Sequence, residues 1–228
     1  MTTHIHTNNN IFKVTGLTGG LIVLFLFYCT STFFSYFFDI HSVCYYWLTF
    51  TILTGIWEYT YVTHRNYVIE KSQYLLDNKL HVWFMKHDID IILPWNTAII
   101  FYSEYGAYAD KEYMINKDKW SIAIEGSHAL LCAVFAWMAL YFNINNNFKN
   151  FYITLAISMG TQLMNSILYM AEYFIQIKTP SSVNYNTDQF PCGKYLVKRP
   201  FMYINIFWTI MPIYVLSYYL LYGNTLLY

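Results

Sequence analysis

VTGLTGGLIVLFLFYCTSTFFSYFF, residues 14–38, runs for 25 positions between Lys13 and Asp39 without one Asp, Glu, Lys or Arg. A helix needs roughly 20 predominantly apolar residues to cross a ~30 Å hydrocarbon core, so this stretch is long enough to span. Four more charge-poor windows follow it. Between Asp39 and Arg65 the only charge is Glu58, between Lys119 and Lys149 it is Glu125, and between Lys149 and Lys178 it is Glu172. After Arg199 there is none. The predicted spans are 16–38, 43–62, 120–142, 150–174 and 201–222. The fold class expected is an all-α, polytopic membrane protein in one domain: a five-transmembrane-helix bundle.

Composition agrees with that reading. The 228 residues carry 13 basic and 13 acidic side chains, 11% charge in all, where soluble domains average about 25%. Hydrophobic residues make up 57% and aromatic residues 21%, which excludes a disordered chain. Zero net charge gives no basic footprint for nucleic acid. Cys29, Cys44, Cys132 and Cys192 are too few, and too embedded in apolar runs, for a disulfide framework. The spans must be helices because lipid offers backbone groups no hydrogen-bond partner, and a β-barrel would alternate over ~10-residue segments. Gly19-Gly20, Gly160 and Pro212 are tolerated where neighbouring helices repair local breaks. Tyr45, Tyr46, Trp47, Trp120, Tyr218 and Tyr219 crowd span ends, as in an interfacial aromatic belt. The N-terminus lacks the pattern of a cleaved signal, so span 1 is expected to be retained.

Basic residues set the orientation. With five spans, the segment holding Lys13, the long 63–119 segment and the 175–200 loop lie on one side, and together they hold 12 of the 13 basic residues. Only Lys149 lies opposite, so the basic side is expected to be cytosolic. The 63–119 insert has polar, helix-compatible stretches and one semi-apolar run, Ile91 to Tyr102, broken by Pro94. That run is too short to span and fits the interface.

Ionisable groups inside spans are costly, by about 2.5–3.5 kcal/mol at a helix centre, and usually face the protein interior. Glu58 and Glu125 sit at similar depth on different predicted helices. They read either as a pair in one cavity, with burial letting one hold a proton, or as interface-proximal carboxylates that reach water or loop lysines. His128 follows Glu125 by three and shares its helical face; it reads as a proton relay or as an ordinary interhelical hydrogen bond. Asn205 and Trp208 are likewise three apart, and a Trp face can hold a cation, though packing is the commoner role. Gln162 and Asn165 form a third such pair, ordinarily explained by helix–helix hydrogen bonding. Glu172 is expected to reach the interface. No Gly-rich phosphate loop or CxxC occurs, and His4, His6, His41, His64, His81, His87 and His128 form no clustered box. Proton chemistry or ligand binding in an apolar cavity, without cofactor or metal, is what remains.

Three stretches resemble the emopamil-binding-protein family, the sterol Δ8–Δ7 isomerases and their relatives in the EXPERA superfamily. Glu104-Tyr105, Tyr113 and Asp118-Lys-Trp-Ser-Ile-Ala-Ile-Glu125 resemble the family's acidic-aromatic approach to a functional Glu. Ser158-Met-Gly-Thr-Gln162 with Ile167-Leu168-Tyr169 is similar to its Ser-x-Gly-Gln…Leu-Tyr pattern, with one extra residue before Gln162. Asn205-Ile-Phe-Trp208-Thr-Ile-Met-Pro212 matches Asn-x-x-Trp-x-x-x-Pro, with Pro200 upstream. The order and spacing cover residues ~100–215, and the first 60 residues match only through Gly55-Ile-Trp-Glu58.

The resemblance implies a five-helix bundle of the endoplasmic reticulum membrane with an intramembrane ligand cavity open to lipid. It implies an isomerase that protonates a sterol ring alkene to a tertiary carbocation and removes a proton elsewhere. Glu58 and Glu125 would be the carboxylates of the relay, Asn205 would position a carboxylate or another side chain of the relay, and Trp208 would face the cation. Gln162 and Tyr169, from the second motif, would contact substrate. The isomerases carry a His one turn before the span-2 Glu; here that position is Thr54, a further expected substrate contact. His128 stands one turn after Glu125, where the isomerases carry a small hydroxyl residue, as though the imidazole had moved across the cavity to the same carboxylates. The partners implied are a sterol, cationic amphiphiles and the lipid bilayer, with a homodimer left open. The alternative is a non-catalytic sterol- or amine-binding protein of the same superfamily, similar to the sigma-two receptor or the isomerase-like paralogues.

Overall fold

The computed structural model describes residues 12–109, 119–176 and 201–222, and within its helices the side chains of 119–125, 172–176 and 201–202 lie outside the description. The described elements run β1 (Lys13–Thr15), α1 (Gly16–Ser35), α2 (Ser42–Thr63), α3 (Arg65–Asn78), β2 (Lys86–Asp88), a 3-10 turn (Ile89–Ile92), α4 (Pro94–Tyr108), α5 (Lys119–Ile144), α6 (Phe148–Gln176) and α7 (Phe201–Tyr222). The chain is mostly helical. Four helices, α1, α5, α6 and α7, are long and apolar enough to cross a membrane, the pattern of an all-α membrane protein. The helix ends fall within three residues of the spans read from the charge gaps. Helix α2 is not among the four. Its threonines, its four tyrosines and Glu58 lower its hydropathy, although its 22 residues would reach across a bilayer at ~1.5 Å per residue.

Polarity and burial go together in α2. Cys44, Trp47, Leu48, Thr51, Thr54, Gly55 and Tyr61 are all buried, where α1 buries only Gly16, Gly19, Val23 and Ser31. Helix α2 packs against α5 and α4, and α6 joins α5 to α7. Helices α2 and α5 come close at Gly55, where an added Cβ would overlap the Cβ of Ala133 and lie 3.0 Å from the Ala129 carbonyl. Next to it, Ser158 Oγ donates to the Cys132 carbonyl at 2.8 Å, and Cys132 Sγ contacts the Ser158 carbonyl at 3.6 Å. That reciprocal pair ties α6 to α5. The main core is built on Leu48, Ala136, Phe151, Leu155, Met159 and Val215, all 1% exposed or less.

The aromatic-belt reading needs correction at α2. Tyr45 and Trp47 are 2% and 3% exposed and sit in the bundle core, not in an interfacial ring. Tyr219 is buried in the same core. Aromatic residues serve headgroup belts and cores alike, and their position near a span end does not separate the two. Cys29, Cys44 and Cys132 are free thiols. The side chains of Glu125, Trp120 and Glu172, the basic loop 177–200 and the N-terminal histidines lie outside the described residues.

The insert is a folded layer. Pro94 opens α4 at its first turn, where a missing N–H costs nothing, and α4 packs on α3 and α2. Ser72 Oγ bonds the Ser103 carbonyl at 2.9 Å between α3 and α4. The run from Ile91 to Tyr102 is thus packed against protein, with Ile91, Ala98 and Ile100 buried. Two strands unseen in the sequence pair antiparallel, Lys13 with Asp88 and Thr15 with Lys86. This ribbon brings the segment before α1 and the insert to one end of the bundle.

The Gly55 contact is testable in lipid nanodiscs. Gly55→Val is expected to destabilise by about 1–3 kcal/mol through overpacking against α5. Gly160→Ala, where an added Cβ meets nothing within 4 Å, is expected to gain about 0.5–1 kcal/mol of helix propensity. Equal melting temperatures for the two variants would contradict this packing.

Candidate functional site

A cavity of about 520 Å³ opens among all five long helices and α4. Helix α2 gives it one face: Thr51, Thr54, Gly55, Glu58 and Tyr61 recur at three- and four-residue intervals. Glycine at 55 keeps α2 close to α5, and Glu58, one turn on, is thereby brought opposite His128. Nδ1 of His128 lies 3.3 Å from Oε2 of Glu58, with the two side chains 13% and 15% exposed. The distance is that of an ion pair, and both atoms are buried. Trp57 Nε1, from another cavity-lining side chain, is a third such buried atom. Three buried polar atoms thus gather in the wall of one largely apolar cavity, which marks it as a place of chemical interest.

The cavity has two aromatic ends. At one, Trp208 meets Trp47 edge-on with centroids 4.7 Å apart, and Phe50 at 5.4 Å. Trp47 is itself fixed: its indole N–H donates to Gln162 Oε1 at 2.9 Å, and Gln162 Nε2 reaches Thr51 Oγ1 at 3.4 Å. At the other end Tyr61 stacks on Tyr102 at 4.9 Å, beside Phe101 and Tyr105 of α4. From Phe50 to Glu58 is eight residues of helix, or about 12 Å, so the carboxylate lies between the two ends.

Of the residues singled out in the sequence, Glu58, His128, Asn205, Trp208, Thr54, Gln162 and Tyr169 all line this cavity. Glu125 lies in α5 one turn before His128, its side chain outside the described residues. Thr54 Oγ1 donates to the carbonyls of Phe50 and Thr51 on its own helix, at 3.1 and 3.2 Å. Gln162 is engaged as an interhelical bond as well as a wall. Sequence reasoning missed Trp47, Trp57, Trp83, Phe101 and Tyr102. Pro94 at a helix start was the one local signal that the run ending at Tyr102 is a helix able to present a face.

No family model, curated protein or solved structure matches the chain. Among the described residues no group of three His, Cys, Asp or Glu converges as a metal site would require.

Gln162→Leu is expected to leave the Trp47 N–H buried without an acceptor, at a cost of about 1–3 kcal/mol. A Trp47→Phe, Gln162→Leu double variant removes both partners and is expected to recover much of that loss. Thermal unfolding of the two proteins checks the order.

Proposed function

We propose that the chain is a sterol isomerase of the endoplasmic reticulum membrane that moves a ring double bond from Δ8 to Δ7 within a five-span bundle. The observation that carries the reading is the Glu58–His128 pair, a carboxylate and an imidazole 3.3 Å apart in an apolar cavity between two aromatic ends. The fifth span is α2. The ribbon of β1 with β2 supports this, because it pairs the segment before α1 with a segment that follows α2. The bias of basic residues toward that end supports a cytosolic setting for it.

The chemistry needs only protons. A neutral carboxyl or an imidazolium transfers its proton to one alkene carbon, leaving a tertiary carbocation on the other. A base then takes a proton from the neighbouring carbon, and that C–H electron pair becomes the shifted double bond. One proton enters and one leaves, so no redox partner is consumed. Glu58, Glu125 and His128 are the groups able to exchange these protons, His128 standing in for the His that Thr54 replaces. Asn205 orients the relay. Trp208 offers π density to the cation, and the largely apolar walls strengthen charge interactions in the cavity. Thr54, Gln162 and Tyr169 contact the sterol.

A second reading is favoured by Thr54, which cannot titrate and turns its hydroxyl back onto its own helix. On this reading the cavity holds a sterol or a cationic amphiphile without turnover. The ammonium would sit against Glu58 with its apolar arms toward the two aromatic ends.

Sterol analysis in a yeast strain lacking its own isomerase separates the two. Conversion of Δ8 to Δ7 sterol is expected, falling by about 10²–10⁴-fold in Glu58→Gln and in His128→Ala. Persistent Δ8 sterol with folded protein present supports the binding protein. Undiminished conversion by His128→Ala removes the imidazole from the relay.

A further inference from the structure

The turn between α3 and β2 is held beside the cavity from α4 and from α1, and one buried carboxylate on α4 is part of that hold. Glu104, on α4, is 9% exposed. Its Oε1 lies 2.6 Å from His81 Nδ1, and its Oε2 accepts the Val82 N–H at 3.0 Å. Both oxygens are therefore spent on consecutive residues immediately before Trp83. The same turn satisfies the start of α1. Leu17 N–H donates to the Trp83 carbonyl at 3.0 Å and Gly16 N–H to the Met85 carbonyl at 3.1 Å, two of the four donors that a helix N-terminus leaves unpaired. Gly16 has no room for a side chain, since a Cβ there would overlap the Val82 carbonyl. Clamped from α4 and from α1, the turn sets the Trp83 ring against Gly20, where its nearest atom would be 3.8 Å from a Cβ, and 6.5 Å edge-on from Phe101. Trp83 lines the cavity there, at the end away from Trp208.

We propose that Trp83 is the insert-side end wall of the cavity and limits the length of ligand it accepts, with Glu104 as the positioning residue that fixes that wall. The inference rests on the cavity being a site for an elongated apolar ligand, as both readings above hold. A Trp held only by its own rotamer freedom would be a soft wall. A Trp on a turn pinned at Val82 and His81 is a hard one, so a ligand too long by a few methylenes must displace backbone. Phe84, the next residue, is 76% exposed and does not line the cavity, which makes it the natural control.

The test compares two tertiary amines with one headgroup, N,N-dimethyldecylamine and N,N-dimethylhexadecylamine, binding to the full chain in lipid nanodiscs. Variant-to-wild-type ratios cancel the different partition of the amines into lipid. Trp83→Ala is expected to shift the affinity ratio toward the longer amine by about tenfold, the worth of roughly two buried methylenes. Trp83→Phe should give an intermediate shift and stays close to the native volume should the alanine variant fold poorly. Glu104→Gln is expected to shift the ratio in the same direction, and Phe84→Ala to leave it unchanged. A ratio in Trp83→Phe and Trp83→Ala equal to that of Phe84→Ala overturns the end wall. An unchanged ratio in Glu104→Gln overturns the positioning role. Failure of the wild type to bind either amine overturns the cavity reading itself, and this inference with it.

Discussion

The close approach of α2 to α5 at Gly55 is the constraint on which the rest of the bundle hangs. A side chain at 55 would push Ala129 and Ala133 away and carry His128 with them. With glycine there, Glu58 one turn along α2 meets His128 one residue before Ala129. The Ser158–Cys132 pair and the Trp47–Gln162–Thr51 chain then lock α6 onto both helices. Each of these bonds is made where water is excluded, so losing one partner strands the other at a cost larger than the bond's net worth. The polar side chains of α2 are therefore not a concession to solubility. They fix the register of three helices around one cavity.

The positions of the long helices were legible because charge is expensive in lipid, and its absence is written along the chain. The 14–38 gap located α1, and the lone charges at 58 and 125 fall inside long helices. The site residues on helices were legible for a related reason: three- and four-residue spacings put Asn205 with Trp208, and Gln162 with Asn165, on shared faces. What could not be read was anything that depends on partners far away in sequence. Trp47 stands near a span end, as a belt residue does, and only the acceptor on Gln162, 115 positions on, makes it a core residue. The insert is the same case. Its β2 has three residues, too short to show alternation, and exists because β1 lies beside it.

The low hydropathy of α2 has a physical origin in its place among other helices. A helix inserted alone must be stable against lipid on all faces, but a helix surrounded by others need satisfy lipid only where it shows. Helix α1 exposes Phe25, Tyr28, Phe33 and Phe34, whereas α2 turns Thr51, Thr54, Trp47 and Tyr61 inward. Low mean hydropathy in a central helix is thus what a polar cavity wall looks like when averaged along its length. The composition that keeps α2 out of the set of plainly membrane-crossing helices is the composition that supplies Glu58, Thr54 and Thr51 to the site.

On the proposed reading, the same arrangement explains why carbocation chemistry and amine binding are neighbours. A carbocation and an ammonium are both monovalent cations set within apolar bodies, and a carboxylate with a π face attracts either. What separates an enzyme from a receptor is then the ability to give and regain a proton. Thr54 cannot do this at any accessible pH, so the burden falls on Glu58, Glu125 and His128. Two of these, Glu58 and His128, stand within 3.3 Å from different helices. An imidazole facing a carboxylate is a pair between which one proton can pass. A reversible proton donor requires such a pair, whereas a site that only held a cation would have no use for a basic group against its carboxylate.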